Sequence, residues 1–255
     1  MTLHTTIITG LREIERQHDC RVLFAAESGS RAWGFPSPDS DYDIRFFYVH
    51  PLQWYLRLDN PKDTLEWFAE GDLDYSGWDL RKALRLFASC NLSMNEQFGS
   101  PIVYESNGDF AQRIRNLIPL YFNPTKTVHH YLGTAANFTE PVFFGEPVGI
   151  KKLFYILRPL FAGEWVVQFQ TMPPTEFLRL LDAVVIDAAL RREIDALLIQ
   201  KETAAEKEKI AAPPLIADWI CSTVERLPKE VGQFACHEKP GWEPLHTLFN
   251  EIAEG

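Results

Sequence analysis

With 255 residues, 46% of them hydrophobic and 24% charged, the chain reads as an ordinary folded protein with room for one large or two modest domains, which excludes a disordered one. No apolar run approaches the roughly 20 residues that cross a bilayer, because Leu153-Phe154-Tyr155-Ile156-Leu157 is interrupted by Arg158 and Pro159. A formal charge of −10 opposes indiscriminate binding to long nucleic acid, whose affinity comes mainly from neutralised phosphates, but leaves room for a local basic patch that holds a nucleotide or a short strand.

In chain order, Ile7, Ile8, Leu11 and Ile14 have helical spacing over Thr5 to His18, and Arg21 to Ala26 reads as a strand. Glu27-Ser28-Gly29-Ser30 predicts a turn, the stretch from Trp33 through Pro38 a short helical turn plus loop, and Asp41 to Val49 a second strand ended by Pro51. Trp54-Tyr55-Leu56 and Asp63 to Phe68 are candidate strands or edge pieces. Leu73-Asp74-Tyr75 reads as the end of a strand feeding an amphipathic helix over Trp78 to Phe87, with Asp79 near its start, and Ser100 to Tyr104 as a further short strand.

After about residue 107 helical patterns dominate: Phe110 to Tyr121, Thr125 to Asn137, Gly149 to Trp165, Pro174 to roughly Ala204, and Pro214 to Leu227. The charged end Lys201 to Lys209 is expected to protrude into solvent, and the tail containing Trp242 and Leu248 to be irregular. This predicts an α+β protein: a small mixed-sheet domain over residues 1–106, then a helical domain over 107–255. The N-terminus lacks a basic segment followed by an apolar one, so export is not expected. Cys20, Cys90, Cys221 and Cys236 are too scattered for a disulfide framework or a zinc knuckle, and read as reduced thiols of a cytoplasmic protein.

The chemistry concentrates in one short stretch. Asp39, Asp41 and Asp43 alternate before the apolar run from Ile44 to Val49, and Gly29-Ser30 stands eleven residues upstream of Asp41. On an extended backbone Asp41 and Asp43 project from the same face, and two carboxylates so close repel unless a divalent cation or a shared proton relieves them. Hard cations such as Mg²⁺ accept such oxygen ligands. A calcium loop fails on chemistry: its sixth position would be Ile44 where glycine is needed, and its twelfth His50 where a bidentate glutamate belongs. A solvated acidic turn is the plain alternative. Gly29 permits close backbone approach, and the amides with the Ser30 hydroxyl suit phosphate oxygens. Asp74 is the candidate third carboxylate, with Asp72 and Asp79 as rivals.

Gly29-Ser30-Arg31-Ala32-Trp33-Gly34-Phe35 through Ser40-Asp41-Tyr42-Asp43-Ile44-Arg45 resembles the mark of the nucleotidyltransferase superfamily typified by DNA polymerase beta. More narrowly, Leu73 through Leu84, Ser100 through Tyr104, His130-Tyr131, and Lys152 through Leu160 resemble nucleotidyltransferases of the RNA repair type. The resemblance implies Asp41, Asp43 and Asp74 as metal ligands for Mg²⁺ or Mn²⁺, and Gly29 and Ser30, with the adjoining Arg31, as triphosphate contacts. It implies an NTP as donor and a hydroxyl acceptor, either an RNA end, a protein or a small molecule. A nucleotide-binding regulatory protein without turnover is the alternative of a different class.

Basic partners for phosphate are sought in Lys82, Lys152 and Arg158. Lys151, Lys152 and Arg158 fall within about two helical turns and form a candidate basic strip. Arg158, set among Tyr155, Leu157, Pro159 and Leu160, is costly to bury without a carboxylate or phosphate. Arg81 and Lys82 stand near a helix start, against the favourable dipole arrangement, which points to a ligand or an acidic residue opposite them. His129 and His130 read as cleft-lining or packed imidazoles, and Trp33, Trp78 and Trp165 as core or interface aromatics. Nothing in the pattern specifies an oligomeric state.

Overall fold

The computed structural model describes residues 2–37, 40–69, 72–185, 187–203, 209–235 and 238–255. The chain runs α1 (Leu3–His18), β1 (Arg21–Glu27), α2 (Gly29–Trp33), β2 (Tyr42–Val49), α3 (Leu52–Tyr55), β3 (Thr64–Ala69), β4 (Leu73–Asp79), α4 (Leu80–Ala88), α5 (Leu92–Phe98) and β5 (Val103–Ser106). It continues through α6 (Phe110–Tyr121), α7 (Pro124–Phe143), β6 (Val148–Gly149), α8 (Ile150–Phe169), α9 (Phe177–Val184), α10 (Ala188–Thr203), β7 (Lys209–Ile210), α11 (Pro214–Val231) and α12 (Glu243–Glu254). An N-terminal mixed sheet with helices is thus followed by a largely helical region, as the periodicity implies. No helix of the described residues is long and apolar enough to cross a membrane.

Two compact units emerge. The first comprises residues 1–32, 40–121 and 238–255; the second comprises 33–39 and 122–237. Apart from residues 33–39, the expected catalytic domain of 1–106 falls within the first unit, which also takes in α6 and α12.

The five-stranded sheet of the first unit has the order β3-β4-β2-β1-β5. Only the central β2–β4 pair is parallel, in continuous register from Tyr42 opposite Leu73 to Tyr48 opposite Asp79. Alternation sends Ile44, Phe46, Tyr48, Leu73 and Tyr75 to one face, where α1 covers them with Ile7, Leu11 and Ile14. Those three side chains recur at one-turn spacing, and the Thr2 hydroxyl caps the helix by accepting from the Thr5 N–H. The opposite face carries Phe24 and Phe47 under α4, α5, α6 and α12, with the Phe98 ring 5.0 Å from Phe24 and 4.8 Å from Phe47. Burying side chains of this size contributes about 1.5–3 kcal/mol each, so the sheet is clamped from both sides.

Gly77 is a steric requirement of this clamp. A Cβ there would lie 2.2 Å from Phe46 Cε2, inside a ring that is itself buried. Asp79 ends the strand and starts α4: its Oδ1 accepts from the Arg81 N–H at 2.9 Å and its Oδ2 from the Tyr55 hydroxyl at 2.6 Å. Burial holds the Asp79 carboxyl above the usual range. It is the helix-start carboxylate that its position suggested.

The second unit is built on α7, α8, α9, α10 and α11. Phe35, from the segment leaving α2, packs its ring 5.1 Å from Phe154 and 5.3 Å from Phe177. Lys201 is buried in this unit, donating to the Phe35 carbonyl at 2.5 Å and to Ser37 Oγ at 2.9 Å.

Five expectations are corrected. Trp54 and Tyr55, read as a candidate strand or edge piece, lie in helix α3. Lys201 does not protrude, because those two acceptors satisfy its ammonium in the interior. The single helix expected from Pro174 to about Ala204 is two helices: α10 has its own cap, Asp187 Oδ1 accepting from the Ala189 and Leu190 N–H groups. The tail is helix α12, held by buried Leu245 and Leu248 against the first unit's core. The strand expected to end at Tyr75 runs to Asp79, since its pairing with β2 outlasts the helical reading that began at Trp78. Residues 204–208 of the charged segment lie outside the described residues, as do Asp39 and Cys236; Cys20, Cys90 and Cys221 are not joined in disulfides.

Because Gly77 and Phe46 set the β2–β4 spacing, Gly77→Ala is expected to lower stability by about 1–3 kcal/mol, read as a shifted urea midpoint at unchanged slope.

Candidate active site

The parallel register places Asp43 directly opposite Asp74. Neighbouring strands lie about 4.8 Å apart, so two carboxylates at one register position share a face at close quarters. Both are partly exposed, with 32% of the Asp43 side chain and 27% of the Asp74 side chain accessible. The cation between them belongs to the protein. Arg45 Nη2 donates to Asp43 Oδ1 at 2.7 Å and to Asp74 Oδ2 at 2.8 Å.

The turn before α2 closes on the same carboxylate. Gly29 has φ 62°, and a Cβ on it would sit 2.5 Å from Asp43 Oδ2, so both backbone conformation and space exclude a side chain. Ser30 is buried, and its hydroxyl donates to Ser40 Oγ at 3.2 Å, tying the turn to the segment that enters β2. Arg31 donates through Nε to the Asp41 carbonyl at 3.0 Å and through Nη2 to the Ser40 carbonyl at 2.6 Å, with its guanidinium 3.6 Å from the Tyr42 ring centroid. These contacts shape the approach to the aspartates. Asp41 itself is exposed just ahead of the strand, two residues from Asp43.

Beneath the pair lies a group the sequence reading missed. Glu27 is fully buried, and its Oε1 accepts from the Asp43 N–H at 2.8 Å while its Oε2 accepts from the Tyr104 hydroxyl. The Ser28 N–H in turn donates to the Asp43 carbonyl at 2.9 Å, so the Asp43 backbone is held on both sides. Burial pushes the Glu27 carboxyl up against the lowering effect of the Tyr104 and Asp43 hydrogen bonds, and pushes the Tyr104 hydroxyl up as well. At the end of a strand Glu27 looked like a turn residue. Only the sheet reveals that it points inward.

The remaining sequence-predicted residues stand elsewhere. Lys82 is at the other end of β4 from Asp74, donating to Asp63 Oδ1 at 2.9 Å and Thr64 Oγ1 at 2.5 Å, so the structure does not bring it to the carboxylates. A ligand or an acidic residue opposite that helix start was expected, and for Lys82 it is Asp63. The Arg81 guanidinium lies 5.1 Å from the Tyr55 ring centroid. Asp72 is exposed, with φ 59°, at the turn into β4.

Lys152 and Arg158 are in the helical unit. Lys152 is exposed on the first turn of α8, whereas Arg158 is buried, donating to the Thr175 carbonyl at 3.5 Å with its guanidinium 5.1 Å from the Trp33 centroid and 5.6 Å from that of Tyr131. The two side chains do not share a face of α8. His129 and His130 are exposed on α7, so neither is a packed imidazole.

The donor set suits a hard divalent cation in part. Asp43 and Asp74 supply adjacent carboxylate oxygens, but among the described residues no three His, Cys, Asp or Glu side chains gather closely enough to hold a metal ion.

The mixed sheet, with paired carboxylates on adjacent strands and a glycine-serine turn against one of them, fits a protein of the nucleotidyltransferase type, the class that the family match supports. The chain belongs to the RNA repair pathway DNA polymerase beta family (RlaP), whose model matches residues 3–251. It is similar to the uncharacterized protein YcgL of Bacillus subtilis (strain 168), with 36% identity over 248 residues that span 97% of this chain and 95% of that protein.

Two substitutions test the geometry. Gly29→Ala is expected to cost about 1–2 kcal/mol from its left-handed backbone alone and to displace the Asp43 carboxylate, seen as a lowered melting temperature and a shifted Asp43 carboxyl NMR signal. Glu27→Ala strips the Asp43 N–H and the Tyr104 hydroxyl of their acceptor and should destabilise by about 1–3 kcal/mol for each group left unsatisfied. Glu27→Gln, which keeps an acceptor for Asp43, should lose clearly less in the same urea titration.

Proposed function

We propose that this protein transfers a nucleoside monophosphate from a nucleoside triphosphate to a hydroxyl acceptor, releasing pyrophosphate. The observation that carries the reading is the Asp43–Asp74 pair, side by side on parallel strands, with Asp43 Oδ2 facing the Gly29 turn. Family membership supports the reaction type.

In this reading Asp41, Asp43 and Asp74 hold Mg²⁺, or Mn²⁺ in its place. When bound, such ions lower the pKa of an attacking hydroxyl and offset charge on the transferring phosphoryl group. The chain's own part is positioning. Gly29 lets the backbone approach the triphosphate without a side chain in the way, and Ser30, fixed to Ser40, keeps the turn in place beside β2. Arg31 holds the carbonyls of Ser40 and Asp41 and thereby the path of the chain into the acidic strand. Rate enhancement comes from in-line placement and electrostatics, with no covalent enzyme intermediate.

The acceptor proposed first is an RNA 3′ end, since the family is described by an RNA repair pathway. The net charge of −10 favours a second class, a protein or small-molecule hydroxyl, because it weakens attraction to a polyanion. Lys152, exposed on α8, is assigned to a phosphate contact and Arg158 to shaping the unit that carries Lys152, whereas Lys82, held by Asp63 and Thr64, takes no such part. The proposed setting is the cytoplasm.

Purified protein with labelled NTPs, Mg²⁺ or Mn²⁺, and a panel of RNA ends, proteins and small alcohols is expected to release pyrophosphate and label one acceptor class. Asp41→Asn, Asp43→Asn and Asp74→Asn should each lower turnover about a hundredfold or more with the circular dichroism spectrum unchanged. Wild-type turnover in Asp43→Asn would exclude the metal role. Nucleotide binding without pyrophosphate release would favour a regulatory protein.

A further inference from the structure

The placement of Arg45 between the two aspartates has a consequence beyond their alignment. Arg45 lies two residues past Asp43 on the same face of β2, with Nη2 shared between Asp43 Oδ1 and Asp74 Oδ2 and Nη1 donating to the Asp74 carbonyl at 3.2 Å. We propose that Arg45 is the internal counter-cation of the acidic pair: it positions Asp43 and Asp74 side by side, and by its charge it competes with the divalent cation. This rests on the nucleotidyl-transfer reading.

Three observations carry it. Asp43 and Asp74 occupy the same register position on adjacent strands, where two carboxylates repel without a positive charge between them. The guanidinium is anchored, not dangling: one nitrogen reaches both carboxylates, the other reaches a backbone carbonyl of β4, and only 23% of the side chain is accessible. Each carboxylate is engaged there through one oxygen, and the other oxygen of Asp43 is turned toward Gly29. Arginine suits the task because Nη2 reaches both carboxylates while Nη1 takes the Asp74 carbonyl; a lysine keeps the charge but lacks the second nitrogen of the fork. Arg45 therefore reduces the negative charge a cation meets while holding both carboxylates in place.

The experiment uses the full chain without nucleotide. In EDTA, Arg45→Gln should lower the melting temperature by about 2–4 °C, and in an Asp43→Asn/Asp74→Asn background, where no repulsion is left to relieve, that fall should shrink by at least half. An undiminished fall would mean that Arg45 only packs, and would overturn the proposal without touching the proposed reaction. Titrated with Mn²⁺ and followed by electron paramagnetic resonance, Arg45→Gln should bind about three- to tenfold tighter than wild type, Arg45→Lys within about twofold of wild type, and Asp43→Asn much more weakly. Equal or weaker binding by Arg45→Gln, with Asp43→Asn still impaired, would overturn the competition and leave the metal reading intact. Absence of Mn²⁺ binding in both wild type and Arg45→Gln would instead sink the metal-dependent reading and the competition together. Should Arg45→Gln lose its near-ultraviolet circular dichroism, Arg45→Lys carries the test: Mn²⁺ binding more than threefold tighter than wild type despite a retained charge would overturn the proposal.

Discussion

The parallel pairing of β2 with β4 sets two like charges against each other at one register position, and much of the first unit answers to that arrangement. Strands one residue out of step would send Asp43 and Asp74 to opposite faces. The register is therefore enforced from several directions. Phe46 fills the space that Gly77 leaves, α1 buries Ile44, Tyr48 and Tyr75 on the far face, and Phe47 anchors the near face under α5 and α6. Asp79 terminates β4 by capping α4 and takes the Tyr55 hydroxyl. Hydrophobic burial supplies the energy, while Gly77 and Gly29, where a side chain is costly, are chosen by space and, for Gly29, by backbone angle as well.

Polar groups then complete what the core aligns. Glu27 and Ser28 hold the Asp43 backbone, Arg45 holds both carboxylates, and Ser30 with Ser40 joins the turn to the strand. Each is a hydrogen bond in a partly or fully buried setting, where an unpaired partner would be costly. Rigidity at the carboxylates thus comes from a shell that reaches from the sheet's edge strand β5, through Tyr104, to the parallel pair at its centre. A site built this way holds its charged groups in a fixed arrangement.

Much of this was legible in the chain itself. The alternation of Asp41 and Asp43 before an apolar run, the Gly29-Ser30 pair and the helical spacing of Ile7, Leu11 and Ile14 are local patterns; the helix appears where its period places it, while the strand starts at Tyr42, one residue past Asp41, and Gly29-Ser30 opens α2. Glu27 and Arg45 were not legible. Glu27 closes an apolar strand, where a charged residue ordinarily signals the way out to solvent, and Arg45 sits at an outward-reading position whose partner is 29 residues away in sequence. Lys201 failed for a similar reason: charged neighbours made it look solvated, while its acceptors, the Phe35 carbonyl and Ser37, are more than 160 residues distant. The break between α9 and α10 was visible only as Asp187, a capping residue inside an otherwise continuous helical pattern.

By itself the sequence determined that a mixed sheet precedes a largely helical region and where most of the helices and strands lie, because periodicity and turn preference act over a few residues. The tertiary structure alone decided which carboxylate faces which, that Arg45 stands between them, that Glu27 lies beneath them, and that α12 returns to the first unit's core. Those outcomes depend on strand register and on contacts between residues far apart in the chain, and no local pattern encodes the register of a parallel pair joined through an intervening strand.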